Sequence, residues 1–69
     1  MKRRELLKQL VLLARESGVT FQFARHGGEH DLYYLHERAV WIPRHAETNE
    51  LTARGELKKC TAYLKELNQ

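Results

Sequence analysis

The sequence predicts an α+β fold with the element order α-β-β-β-α, in which a three-stranded antiparallel sheet carries two helices on one face. Three observations predict this fold. Apolar residues recur at helical spacing near both ends of the chain, and the middle is rich in β-branched and aromatic residues. Two short turns divide that middle into three strands, which such short connections make antiparallel. The chain has 69 residues, so we expect one domain, residues 1–69, with a thin core.

The first helix is predicted over residues 2–16, where the apolar side chains share one broad stripe. Gly18 follows it, as a glycine often does at the C-terminal end of a helix. The first strand is predicted from Val19 to Arg25, because apolar and polar residues alternate there. We expect its apolar side chains, including Phe23, to lie on one buried face.

Gly27-Gly28 indicates a tight hairpin turn before a second strand over residues 30–36. The phase of that strand is ambiguous, because four apolar residues follow one another from Leu32 to Leu35. A second short turn at residues 36–38 then leads into a third strand over residues 39–42.

The last predicted helix follows a polar connector, and Thr48, Asn49 or Thr52 could cap it. Gly55 weakens its first turn. Its apolar residues recur at helical spacing and are Ala53, Leu57, Cys60, Leu64 and Leu67. The simplest arrangement packs both helices on one face of the sheet and leaves the other face open to solvent or a ligand.

Composition limits the function classes. No stretch approaches the ~20 apolar residues of a membrane span, so we expect no membrane partner. The single cysteine, Cys60, cannot form an internal disulfide, which favours a cytoplasmic protein. A net charge of +3 tolerates a nucleic-acid partner without demanding one.

Four histidines lie within 20 residues, so a metal site must be considered. Gly27-Gly28 makes a helical pairing of His26 with His30 improbable, and Cys60 lies on an apolar helix face that is typical of a buried thiol. No complete ligand set is visible, and we expect neither a metal ion nor another cofactor.

His30 is the strongest candidate for acid–base chemistry, because imidazole exchanges a proton near neutral pH. The glycines before it, including Gly28, would let the backbone approach a phosphate closely, and Glu29 or Asp31 could orient the ring. The alternative is an ordinary surface histidine beside a turn.

The basic residues form two groups that could contact RNA phosphates. Lys2, Arg3 and Arg4 crowd the start of the chain, whereas Arg25, Arg44 and His45 lie near predicted strand ends, on the same part of the chain as His30. These charges could equally be solvated. Aromatic side chains could stack on bases, or they could belong to the core; they are Tyr33, Tyr34 and Trp41.

Three segments, MKRRELLKQL, GGEHDLYY and VWIPRHAETNELTARGELKK, resemble HicA-type toxins of bacterial toxin–antitoxin systems. The similarity spans nearly the whole chain and keeps the motif order. It implies a fold like the double-stranded RNA-binding domain, an endoribonuclease that acts on mRNA, and a HicB-type antitoxin that covers the active surface. His30 matches the histidine of the family's Gly-x-His motif, which is needed for RNA cleavage. His45 matches a frequent family position to which no catalytic role is assigned.

With this resemblance included, we expect RNA cleavage without a metal ion, with His30 exchanging the proton of a ribose 2′-hydroxyl. Two alternatives use the same fold. One is a module that binds structured RNA without cutting it. The other is an interaction protein, in which the open sheet face or an apolar stripe on the last helix (Tyr63, Leu64 and Leu67) docks a protein partner.

Overall fold

The computed structural model describes residues 1–45 and 47–68 and confirms the predicted order of elements. The helices and strands are α1 (Arg3–Ser17), β1 (Phe21–Gly27), β2 (His30–Leu35), β3 (Arg38–Pro43) and α2 (Glu50–Leu67). The three strands form one antiparallel sheet in the order β1-β2-β3. The protein therefore has an α+β fold.

Two-residue turns connect the strands. Gly27 pairs with His30, so the first turn consists of Gly28 and Glu29, one residue later than the predicted Gly27-Gly28. Gly28 has a φ of 57°, in the left-handed region that glycine adopts without steric cost. His36 takes the equivalent position of the second turn with a φ of 56°, which is uncommon for a residue with a Cβ atom.

A β-bulge interrupts β1. Phe23 pairs with Tyr33, but the next pair joins Arg25 to Leu32, so Ala24 is an extra residue. Beyond the bulge the alternation of faces is reversed, because one inserted residue shifts the two-residue period by one. Arg25 consequently faces the open side of the sheet, and His26 faces the helices.

Both helices cover the same face of the sheet. The core joins the apolar stripe of α1 to that of α2 through inward side chains of β2 and β3. Its buried members are Leu6, Leu10, Ala14, Leu35, Val40, Ile42, Ala53, Cys60 and Leu64. The ambiguous phase of β2 is thereby resolved, because Leu35 points inward and Tyr34 points outward.

The helix ends follow from local sequence. Gly18 ends α1 in the left-handed conformation, and its N–H donates to the carbonyl of Arg15. Asn49 is the residue that caps α2: its side-chain oxygen accepts from the N–H groups of Leu51 and Thr52.

One sequence-based interpretation is wrong: Phe23 is about half exposed, although it lies on the helix-bearing face of the sheet. In the candidate docking stripe on α2, Leu64 is buried in the core and the half-buried Tyr63 accepts from the backbone N–H of Glu37, whereas Leu67 is 42% exposed. Across residues 1–45 and 47–68, no helix has the length and apolar character needed to cross a membrane.

Candidate nucleic-acid interface

The β1–β2 hairpin carries two histidines on opposite faces of the sheet. His26 lies opposite Asp31 in the strand pair, on the face that carries the helices. His30 begins β2 and shares the open face with Leu32 and Tyr34, since alternate residues of a strand point the same way. The two imidazoles therefore belong to different surfaces.

The open face presents an aromatic platform beside His30. Trp41 is 48% exposed and Tyr34 is 42% exposed, and strand pairing places Arg25 and Trp41 on either side of the buried Leu32. A Cβ atom added to Gly27 would lie 3.3 Å from the Trp41 ring, so the indole lies directly over that glycine. Exposed aromatic rings next to an arginine are typical of surfaces that stack nucleic-acid bases.

His30 is exposed at the rim of this platform. Within residues 1–45 and 47–68, no side-chain hydrogen bond engages its ring. The expectation that Asp31 orients this ring is wrong, because Asp31 points to the opposite face and contacts His26 instead. Glu29 contributes its backbone carbonyl to the site, which accepts from the N–H of Arg44 at 2.9 Å.

A polar cluster occupies the other face at the same end of the sheet. The side chain of Asp31 is only 6% exposed and is surrounded by three cationic or potentially cationic groups. Arg3 Nη2 donates to Oδ2 at 2.9 Å, and His26 Nδ1 donates to Oδ1 at 2.8 Å. Arg44 Nε lies 3.6 Å from the same Oδ1 atom. An ionised carboxylate can only accept, so this contact places the proton on His26 Nδ1.

These contacts stabilise the charged form of Asp31. The hydrogen bond from His26 is the largest influence and lowers the pKa of the carboxyl group. The positive charges of Arg44 and Arg3 lower that pKa further, and together these effects outweigh the opposing effect of desolvation. The carboxylate is therefore ionised throughout the neutral range.

Both arginines of the cluster are held at further points. Arg3 Nε donates to the carbonyl of Pro43 at 3.1 Å, and its Nη2 also reaches the Tyr33 hydroxyl at 3.4 Å. Arg44 Nη1 donates to the carbonyl of Gly28 at 3.3 Å. The cluster thus joins the start of α1, the first hairpin turn and the end of β3 in one place.

The cluster borders an open depression of about 470 Å³. Its aromatic wall is formed by Phe23, whose ring centroid lies 4.9 Å from that of His26 and 5.4 Å from that of Tyr33. The remaining lining residues are Arg3, Asp31 and Arg44. The arrangement combines fixed positive charge with a partly exposed aromatic surface.

The structure distributes the predicted RNA-contacting residues over several places. Arg3, Arg44 and Gly28 meet at the polar cluster, whereas Arg25 lies on the open face with His30. The others are exposed and remain outside the cluster: Lys2 and Arg4 border a second depression beside Glu47, and His45 follows β3.

The sequence reasoning missed His26 as a partner of Asp31. In the sequence His26 is a candidate only for a metal site, and its pairing with Asp31 depends on the bulge at Ala24. Among the residues that the structure describes, no three His, Cys, Asp or Glu side chains converge as metal ligands would. His26 and His30, the acid–base candidate, both lie on the first hairpin.

Comparison with known proteins identifies no relative: no protein-family model, curated protein or solved structure matches this chain.

Proposed function

We propose that this protein is a small endoribonuclease of the HicA type that cleaves mRNA without a metal ion or another cofactor. The observation that carries the proposal is the exposed His30 at the rim of an open sheet face, beside Trp41, Tyr34 and Arg25. The proposal also rests on the sequence resemblance of the Gly-x-His segment and of the segments around it. The fold like the double-stranded RNA-binding domain is part of the same proposal.

In the proposed reaction, RNA lies across the open face with bases stacked on Trp41 and Tyr34. His30 takes the proton of a ribose 2′-hydroxyl, and the resulting oxygen attacks the adjacent phosphorus. The bond to the 5′-oxygen of the next nucleotide breaks, and His30 returns the proton to that leaving oxygen. The products end in a 2′,3′-cyclic phosphate and a 5′-hydroxyl.

Arg25 is the guanidinium best situated to stabilise the charge that develops on the phosphate, because it projects from the same face as His30. Arg44, held at the end of the sheet by the carbonyl of Gly28, contacts Asp31 on the helix-bearing side and not the open face. Discrimination against DNA follows directly, since DNA has no 2′-hydroxyl to attack.

A HicB-type antitoxin is the partner in this proposal. It would cover the open face and thereby exclude RNA from His30. The cytoplasm, where mRNA is available, is the proposed location.

A second candidate function is binding of RNA without cleavage. The observation that favours it is the absence, among the described residues, of any side chain that orients the His30 ring. A binding module needs the aromatic platform and the arginines but no fixed imidazole.

One experiment separates the two functions. Purified protein is incubated in EDTA with three labelled strands of one sequence: RNA, DNA and 2′-O-methyl RNA. The nuclease proposal predicts shortened products from RNA alone, with 2′,3′-cyclic phosphate ends. Binding of the RNA without shortened products would support the binding module instead, and cleavage that EDTA abolishes would contradict the metal-independent mechanism.

A further inference from the structure

A second surface lies on the helix-bearing side of the sheet, away from the open face that carries His30. We infer that Arg3, His26 and Arg44 bind one phosphate group of a nucleotide there, with Asp31 as a positioning residue. The inference rests on the proposed function only in that RNA would supply this phosphate. The binding itself is argued from the cluster alone.

The cluster holds more positive charge than its single carboxylate neutralises. The two guanidiniums are charged at any physiological pH, and among residues 1–45 and 47–68 Asp31 is the one carboxylate paired with them. Both of its oxygens are already engaged and its side chain is nearly buried. The excess charge is presented outward by Arg44, whose side chain is 52% exposed, beside the 66% exposed side chain of His26.

Each arginine retains N–H groups for a ligand. Arg3 uses Nε and Nη2 in its contacts, and Arg44 uses Nε and Nη1. Over residues 1–45 and 47–68, no hydrogen bond engages Arg3 Nη1 or Arg44 Nη2. Planar guanidinium donors of this kind match phosphate oxygens. On His26, Nδ1 is engaged by Asp31, so Nε2 can donate to a phosphate oxygen only when the ring carries both protons.

The other contacts hold these donors in place before a ligand arrives. Arg3 is fixed by the carbonyl of Pro43, Arg44 by the carbonyl of Gly28, and His26 by Asp31. Side chains that are already ordered lose less conformational entropy when a ligand binds. This preorganisation distinguishes the cluster from the mobile cations of an ordinary basic surface.

The apolar wall indicates a nucleotide rather than inorganic phosphate. The depression of about 470 Å³ is far larger than a single phosphate requires, and the half-exposed ring of Phe23 forms part of its lining. A base or ribose attached to the phosphate would pack against that ring, as bases stack on aromatic side chains in single-strand binding sites. An RNA phosphodiester and a free nucleotide share this chemistry.

The test follows side-chain NMR signals of the whole chain during three separate titrations at about 0.1 M salt, where exposed charges are screened beyond ~10 Å. The probes are a 2′-O-methyl hexanucleotide, which the proposed reaction cannot cleave, adenosine 5′-monophosphate and inorganic phosphate. We expect saturable shifts of the His26 ring, the Phe23 ring and the Arg44 Nε–H signal with the hexanucleotide. If the natural ligand is a free nucleotide, the protein should bind adenosine 5′-monophosphate more tightly than the other two probes.

The variants are Arg44→Gln and a matched control, Lys65→Gln, which removes the same charge from the last turn of α2. Lys65 adjoins a depression that also contains Ser17, at the opposite end of α1 from Arg3. We expect Arg44→Gln to weaken hexanucleotide binding at least fivefold and Lys65→Gln to change it by less than twofold, because a charged hydrogen bond is lost only in the first.

Two results would overturn the inference. One is a set of shifts in the wild-type protein that excludes His26, Phe23 and Arg44. The other is equal weakening by the two substitutions in folded variants. The wild-type titration decides the matter even if Arg44→Gln fails to fold. A protein that binds the hexanucleotide at this cluster but cuts no RNA would contradict only the nuclease proposal, whereas RNA cleavage without these shifts would contradict only the second site.

Discussion

His26 and Asp31 face each other across the β1–β2 pair, with 2.8 Å between Nδ1 of the imidazole and Oδ1 of the carboxylate. The contact exists because the bulge at Ala24 turns His26 toward the helices. It has two consequences. Asp31 is unavailable to His30, and the first hairpin carries one histidine with a carboxylate partner and one without such a partner among the described residues.

The pairing makes the stability of the fold dependent on pH. Because the pKa of Asp31 is lowered in the folded protein, its ionised form stabilises the fold above the unfolded pKa of about 3.9. That stabilisation is lost as the pH falls through the lower, folded pKa. Between about pH 5 and about pH 2, we expect the free energy of unfolding of Asp31→Asn to fall less steeply with decreasing pH than that of the wild type.

Urea denaturation at a series of pH values measures this effect. Glu66→Gln is the control, because Glu66 is an exposed carboxylate on the last turn of α2. The control should keep the wild-type slope. Parallel curves for wild type and Asp31→Asn would show that the cluster does not perturb the carboxyl group.

Gly27 is required for space rather than for its backbone conformation. A Cβ atom there would lie 3.3 Å from both the Trp41 ring and the carbonyl oxygen of His30. We expect Gly27→Ala to destabilise the fold by about 1 to 2 kcal/mol, at the lower end of overpacking costs, and to shift the Trp41 fluorescence as the ring moves.

The matched substitution is Gly55→Ala, where an added Cβ atom would meet nothing within 4 Å. Gly55 lies inside α2, so alanine should stabilise the fold by about 0.5 to 1 kcal/mol and leave the fluorescence unchanged. Equal effects of the two substitutions on thermal stability would contradict the close approach of Trp41 to Gly27.

The thiol of Cys60 should be unreactive in the folded protein. Its side chain is fully buried, and burial raises the pKa of the thiol. We expect alkylation by iodoacetamide to be slowed more than ~100-fold relative to the urea-unfolded chain, which corresponds to an opening free energy of about 3 kcal/mol. Mass spectrometry follows the reaction, and comparable rates in both states would mean that the helices do not enclose this residue.

Much of the fold follows from local sequence signals. The helical period of the two apolar stripes, the glycine at position 18 and the short turns fix five elements in the right order. Asn49 is one of three possible caps in the sequence, and only the backbone path decides which of these side chains reaches the first N–H groups of α2.

The polar cluster could not be predicted in the same way. A bulge leaves no trace in the alternation of side chains, so extending the alternation past Phe23 would put Arg25 and His26 on the wrong faces. The run from Leu32 to Leu35 also hides the phase of β2 and, with it, the direction of Asp31. The identity of His30 as a candidate depends instead on its turn and on a resemblance, both of which are visible in the sequence.

The most direct test of the central claim compares RNA cleavage rates of the wild type and His30→Ala in EDTA. His36→Asn is the control, because His36 is an exposed histidine in the other hairpin turn and asparagine tolerates its positive φ. General acid–base catalysis predicts that His30→Ala is slower by at least ~100-fold while the control keeps the wild-type rate. Cleavage by folded His30→Ala within about threefold of the wild-type rate, well short of that loss, would contradict the assignment of His30.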